Sequence, residues 1–445
     1  MSRRAAVFPV VQSLSVDHVD LPAFRLVEQH FAVPPAIDVE SALQREWRRL
    51  RDSVRLDPGA DIAVAVGSRG IDRLQETVRL VLRELLDAGC RPFIVPAMGS
   101  HGGATAEGQL EVLASLGITE ASMGVPLRAT MGVIKVGEVA GTPLFVDRYV
   151  HEADGIVLIN RVKPHTDFAG LMGSGLLKML CVGLGNQVGA DAYHRAALTD
   201  DLGEIIQRCG RELLRILPVT FGAAVVENQD HHVCELRLIP AREIELVELL
   251  LQTQARALLP GLPLDDIDLL IVDEMGKNIS GAGLDPNVIG RTIGRWSVQR
   301  TRPRIVRILV RGLTAGSHGN ASGLGFVDVA TPRLIQAIDL DTTAVNAVTA
   351  CMPEDARLPL TLPTERDAVA VALATVRPHS LEDVRIVHIA NTSEVGRLLV
   401  SEGCLTALEG HEGLEIGATR LWLEFDAQGN IVPPLNLRQG LSELP

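Results

Sequence analysis

One stretch constrains the fold of this chain more than any other. Ile62–Val66 is a β-branched run, and the segment Ile71–Ala88 after it places Leu74, Val78, Val81, Leu82, Leu85 and Leu86 on one helical face. Gly89 ends that helix, and Phe93-Ile94-Val95 reads as the next strand. A strand, a crossover helix and a second strand pair in parallel with right-handed connections. The chain is therefore expected to build an α/β fold around parallel sheet.

The same alternation continues. Buried strands are expected at Gly155–Asn160 and Phe221–Val226, and a Leu- and Glu-rich helix over about Glu243–Leu259. Upstream, short strands and one basic helix around Val39–Arg55 occupy the segment to Pro58. Pro260-Gly261-Leu262-Pro263 has the composition of a linker, and a second α/β pattern begins at Ile267–Asp273. It adds a strand at Ile305–Val310 and helices around Thr331–Ile338 and Glu365–Thr375, with Pro332 suited to a first helical turn. The expected architecture is two domains, each a mostly parallel sheet with flanking helices, with the active site in the cleft between them. The division falls near residue 262: an N-terminal domain over 1–262 and a C-terminal domain over 263–409, with 410–445 able to return to the first. A chain of 445 residues suits two such domains. There is no internal repeat and no low-complexity segment.

Composition excludes several classes. The net charge is −13 and no Lys/Arg run is long enough to form a nucleic-acid-binding face. No apolar run is long enough to span a membrane. Met1-Ser2-Arg3-Arg4 leads into an apolar stretch broken by Pro9, too short and polar for a signal peptide. Cys90, Cys181, Cys209, Cys234, Cys351 and Cys404 form no CxxC pair, which suits reduced, mostly buried thiols in a cytoplasmic protein.

In open parallel sheets, ligands meet the carboxyl ends of strands, and here four such ends carry unusual residues. Gly67-Ser68-Arg69-Gly70 can bring backbone, helix N-terminus and the Arg69 fork to an anion, or be an ordinary tight turn. Gly99-Ser100-His101-Gly102-Gly103-Ala104-Thr105 sets a histidine among glycines, where it fills no core, with Thr105 able to cap the next helix. Asn160-Arg161-Val162-Lys163-Pro164-His165-Thr166-Asp167 packs reactive types together, and Gly173-Ser174-Gly175-Leu176-Leu177-Lys178 follows. Lys178 stands in an apolar, glycine-rich surround, which suits a snorkelling surface lysine or a covalent one. His194, beside Tyr193 and Arg195, reads by itself as a surface histidine. Asp273-Glu274-Met275-Gly276-Lys277-Asn278 opens the second pattern; Lys277 can serve an anion, and the glycine-rich run from Ser280 to Asn287 can equally be a hinge.

With these loops in hand the chain resembles the nickel-dependent lactate racemase family, on a divergent branch. The resemblance covers most of the chain and is strongest around His101, His165–His194 and Glu274–Lys277. It implies a nickel-pincer nucleotide, made by dedicated cofactor-building enzymes and joined covalently to Lys178, with His194 as nickel ligand. It implies His101 and His165 as catalytic acid/base residues. Arg69, with Ser68, and Lys277, with Glu274, fall at cofactor-binding positions, and Arg69 and Lys277 also at substrate-binding ones. The 16-residue step from Lys178 to His194 agrees with the family pattern. Three features depart from it. Val66 stands where lactate-acting members carry an acidic residue, Glu274 replaces a glutamine, and Gly-Ser-Gly-Leu-Leu-Lys replaces a Gly-Gly-Pro-Lys type.

The implied activity is racemisation or epimerisation at C2 of a 2-hydroxy acid by hydride transfer to the pincer ring. One histidine takes the hydroxyl proton and the other returns it. The departures lean toward a larger, polyhydroxylated acid such as gluconate. Two rivals stand beside this reading. One is a zinc hydrolase or lyase using His101, His165 and His194, which gives Lys178 no role; the other is a non-catalytic nucleotide-cofactor-binding module.

Overall fold

The structure is a computed structural model. It describes residues 10–11, 20–31, 33–68, 70–165, 172–293, 302–376, 380–432 and 437. The chain divides into two compact units, one of residues 33–259 and one that joins 1–32 to 260–445. Strand β1 (Phe24–Gln29) belongs to the second of these, so the observed division differs from a single cut near residue 262.

The unit 33–259 is built on five strands: β2 (Asp61–Val66), β3 (Arg91–Pro96), β6 (Gly155–Arg161), β7 (Val219–Glu227) and β8 (Val233–Pro240). An antiparallel hairpin, β4 (Val133–Val139) and β5 (Thr142–Asp147), lies between β3 and β6 in sequence and forms its own two-stranded sheet. The order is β3-β2-β6-β7-β8; all neighbours are parallel except β7 and β8. Strand residues alternate between two cores, as a sheet covered on both faces requires. Ala63, Ala65, Phe93, Val95, Ile156 and Leu158 face one, which includes Ile205, Ile206 and Leu213 of the helix Leu202–Ile216. Val64, Val66, Ile94, Val157 and Ile159 face the other, with Leu43 of the helix Val39–Leu50 and Val78, Val81 and Leu85 of the helix Leu74–Asp87. That last helix is the one the apolar spacing predicts; it starts at Leu74 rather than Ile71.

The second unit is an eight-stranded sheet. Its parallel part comprises β9 (Asp266–Met275), β10 (Arg304–Leu313), β11 (Val329–Ala330), β12 (Leu360–Thr361) and β13 (Ile386–Asn391). β14 (Glu394–Ser401), β1 and β15 (Leu414–Ile416) extend it in antiparallel fashion, giving the order β12-β11-β10-β9-β13-β14-β1-β15. Leu414–Ile416 thus ties part of the tail to β1 here.

Both sheets have the same kind of reversal. In the first, the chain leaves β2 toward β3 and comes back on the other side of β2 as β6. In the second it leaves β9 toward β12 and comes back on the other side as β13. Each reversal opens a crevice beyond the carboxyl ends of the two central strands.

Candidate active site

Ser68 follows β2 and His165 follows β6, so both stand at the crevice of the first sheet; His101 follows the neighbouring β3. Contacts draw these loops together. The position of a Cβ on Gly67 would lie 3.4 Å from the Met179 methyl and 3.6 Å from Asn160 Oδ1. Gly99 N donates to Gly183 O at 3.0 Å, and a Cβ on Gly99 would meet Val182 O at 3.2 Å and the Ala190 Cβ at 3.6 Å. The glycine at 99 also adopts φ +60°, the left-handed region that L side chains avoid.

Two side-chain pairs occupy this place. The Ser68 hydroxyl is hydrogen-bonded to His101 Nδ1. The Lys178 amine is hydrogen-bonded to His165 Nε2. A hydrogen bond at one ring nitrogen orients an imidazole and selects which nitrogen carries the proton. His101 is exposed, whereas Ser68, His165 and Lys178 are half-buried. The loop bearing His101 is anchored from below: Thr105 Oγ1 accepts from Gly108 N at 3.1 Å, and buried Gln109 donates to Gly99 O at 2.9 Å.

The His165 loop is closed at its base by a two-way backbone pair. Lys163 N donates to Ser174 O at 2.9 Å, and Ser174 N to Lys163 O at 2.8 Å. Asn160 Nδ2 donates to Gly175 O at 2.8 Å. From there the chain turns into the helical segment Leu176–Lys178, which runs on as a wider π-type turn over Met179–Gly183. Such widened turns recur at functional sites.

His194 lies in the last turn of the helix Asn186–Ala196. It is one turn beyond Ala190, the residue that meets Gly99, and residues four apart share a helix face. His101, His165 and His194 do not bring their ring nitrogens together: among the described residues the one group of three or more such side chains with ligand atoms within 4.8 Å of each other is Glu28, His30 and Glu415. A three-histidine zinc centre needs that convergence. Arg69 lies outside the described residues.

In the second unit, Glu274 and Lys277 stand at and just beyond the end of β9, again beside a reversal. Lys277 N donates to Ser317 Oγ at 2.9 Å, and Thr314 Oγ1 to Asn278 Oδ1 at 2.5 Å. A Cβ on Gly276 would come within 2.2 Å of Thr314 Oγ1, so only glycine fits there. One residue earlier than Glu274, Asp273 accepts from Arg311 Nη1 and pairs with the fully buried His388 at 2.8 Å. Burial pushes the Asp273 carboxyl up, but the bond and charge of His388 and then Arg311 outweigh it and hold it at about 2. Arg311 is shared with Glu365 at 2.9 Å.

Residues 32–204 match the family model for the lactate racemase N-terminal domain. The matched stretch contains Ser68, His101, His165, Lys178 and His194; Glu274 and Lys277 lie beyond it. Among solved structures, the lactate racemase apoprotein from Thermoanaerobacterium thermosaccharolyticum is similar over 82% of this chain and 88% of that one, at 15% identity and a TM-score of 0.46. A comparison with curated proteins gives no match. Among the described residues, no helix is long and apolar enough to cross a membrane.

One compositional signal sharpens the site. Of 42 basic residues only four are lysines, Lys135, Lys163, Lys178 and Lys277, and all but Lys135 lie on the candidate loops. Arginine serves for charge almost everywhere else, so a lysine kept on these loops points to the amine itself. Glu248 and Gln252 also meet the Lys178 segment, and motif reading passes over them. Their signal is a carboxylate and an amide at the helical spacing of Ile244, Leu251 and Ala255, on a face that should be apolar.

Proposed function

We propose that this protein is an isomerase that inverts the hydroxyl-bearing carbon of a 2-hydroxy acid, with a nickel-pincer nucleotide held on Lys178. The observation that carries the reading is the pairing of Ser68 with His101 and of His165 with Lys178 at one sheet reversal, inside the matched segment. The donor set suits the cofactor: an amine for covalent attachment, imidazoles suited to a borderline divalent metal, and glycines at 67 and 99 that let the Lys178 and His194 segments pack close to the strand ends. His194 would be the metal ligand. When bound, the group would supply the hydride acceptor that a weakly acidic C–H bond requires.

The residues of the chain do the proton chemistry. His101 and His165 each have an oriented ring nitrogen, and one takes the substrate hydroxyl proton while the other restores a proton from the opposite side. Ser68 sets the His101 ring. Lys277, with Glu274 beside it, and Arg69 would hold the carboxylate end of the substrate. Longer, polyhydroxylated acids such as gluconate belong to the proposed substrate class, and the cofactor-building enzymes are the proposed partners. The test is to produce the chain alongside such enzymes and offer it a panel of single-stereoisomer 2-hydroxy acids. Appearance of the C2 epimer from at least one acid is expected. Cofactor-loaded protein that epimerises none of them would overturn the reading.

A further inference from the structure

The helix Ile244–Ala257 buries two polar side chains one turn apart, Glu248 at 0% and Gln252 at 1% exposure. Burying an amide and a carboxyl without full pairing is costly. Glu248 Oε1 and Gln252 Oε1 have no hydrogen-bond partner in the structure, yet their other atoms are committed to a single short segment. Glu248 Oε2 accepts from Leu177 N at 3.0 Å, and Gln252 Nε2 donates to Ser174 O at 2.9 Å. The segment is shaped to receive them. A Cβ on Gly175 would sit 2.3 Å from Glu248 Oε1, and one on Gly173 would sit 2.7 Å from Gln252 Oε1. Gly175 is therefore small because the Glu248 head presses on it, and Gly173 because Lys163 O at 2.6 Å and the Gln252 head share the space beside it; Lys178 is the next residue after Leu177.

We propose that Glu248 and Gln252 form a clamp that positions Lys178. The carboxyl holds the first free N–H groups of the turn bearing the lysine, the amide fixes the residue before it, and together they keep the amine against His165. Neither side chain touches the reacting atoms; both act through Lys178. The proposal rests on the reading of Lys178 as the functional lysine. Burial raises the Glu248 carboxyl to about 7 against the N–H groups of Leu177 and Leu176, which suits a group kept for where it is.

The experiment uses the full apo chain and a water-soluble amine-acylating ester, with labelling of each lysine followed by peptide mass spectrometry. Exposed Lys135 is the internal reference. In the unaltered chain Lys178 should label more slowly than Lys135; equal rates would sink the reading of Lys178 as a held lysine. Glu248→Leu should raise Lys178 labelling on the order of fivefold, the loss of about one hydrogen bond, with Lys135 unchanged. Glu248→Gln keeps an acceptor for Leu177 N and should restore the slow rate. Gln252→Leu should give a smaller rise in the same direction, and it carries the test if Glu248→Leu does not fold. Slow Lys178 labelling that neither leucine substitution changes would overturn the clamp while leaving the functional reading intact. A rise shared equally by Lys135 would also overturn it, because that marks general unfolding.

Discussion

The two units share a plan and differ in what stands at its reversal. In the first, the crevice between β2 and β6 is lined by side chains whose bonds orient them without exhausting them: a serine on a histidine, a lysine on a histidine. In the second, the end of β9 carries Asp273 locked between Arg311 and His388, with Glu365 completing a buried ion network. Topology gives both units a place where a ligand can bind. Only side-chain chemistry separates the place proposed as reactive from the braced one. One carboxyl from each shows it: half-buried Asp273 is held at about 2 by its partners, whereas fully buried Glu248 is raised to about 7 because burial outweighs its two N–H contacts.

The largest expected effect lies in the first unit. Lys178→Ala should abolish covalent cofactor attachment and activity together while the chain still folds, read by intact mass and by epimerisation rate. An adduct that survives the substitution would break the contrast between a reactive unit and a braced one.

The braced side should fail by unfolding instead. Arg311→Leu leaves the buried Glu365 without its cation and Asp273 with His388 alone, a loss that costs about 3–5 kcal/mol. Denaturant titration should show it, with the Lys178 adduct still forming on the folded fraction. A change below about 1 kcal/mol would mean that the network is ornamental.

The two carboxyls should also divide the pH profile of stability. Asp273 ionises more readily in the folded chain, so its contribution is present above the usual carboxylate range and is lost as the pH falls toward 2. Glu248 ionises less readily when folded, so its contribution is present below about 4.5 and is lost as the pH rises toward 7. Asp273→Asn should flatten the acid limb by on the order of 2 kcal/mol, and Glu248→Gln should flatten the slope between about pH 4.5 and 7. Unchanged profiles would remove this part of the comparison.

The smallest effect should be common to both units. Asp38 caps one helix through Ser41 N and Asp339 another through Thr342 N, each at 2.9 Å. Alanine at either should cost about 1 kcal/mol, whichever unit it belongs to.

Much of the fold was legible because the first unit repeats strand and helix at regular spacing. Strands β2, β3, β6 and β7 and the helix Leu74–Asp87 all follow from apolar period. β1 was not assignable to a sheet, since its partners β14 and β15 lie some 370 or more residues away: Phe24 pairs with Ser401 and Val27 with Ile416. No local pattern encodes such a pairing. The proposed site residues His101 and His165 stood out in the sequence because they sit on glycine- and proline-marked loops, and the structure sets Ser68 beside the first and Lys178 beside the second. It was not legible at Glu248 and Gln252, whose spacing reads as an ordinary amphipathic helix until the burial of those two positions is known.

The central claim is that His101 and His165 serve opposite sides of one reaction, and racemisation measured from each stereoisomer in turn tests it most directly. With cofactor-loaded His101→Ala and His165→Ala, the rate from both stereoisomers should fall on the order of 10²–10⁴-fold, with nickel content close to that of the unaltered protein. His165→Ala that converts both stereoisomers at the normal rate would contradict the account.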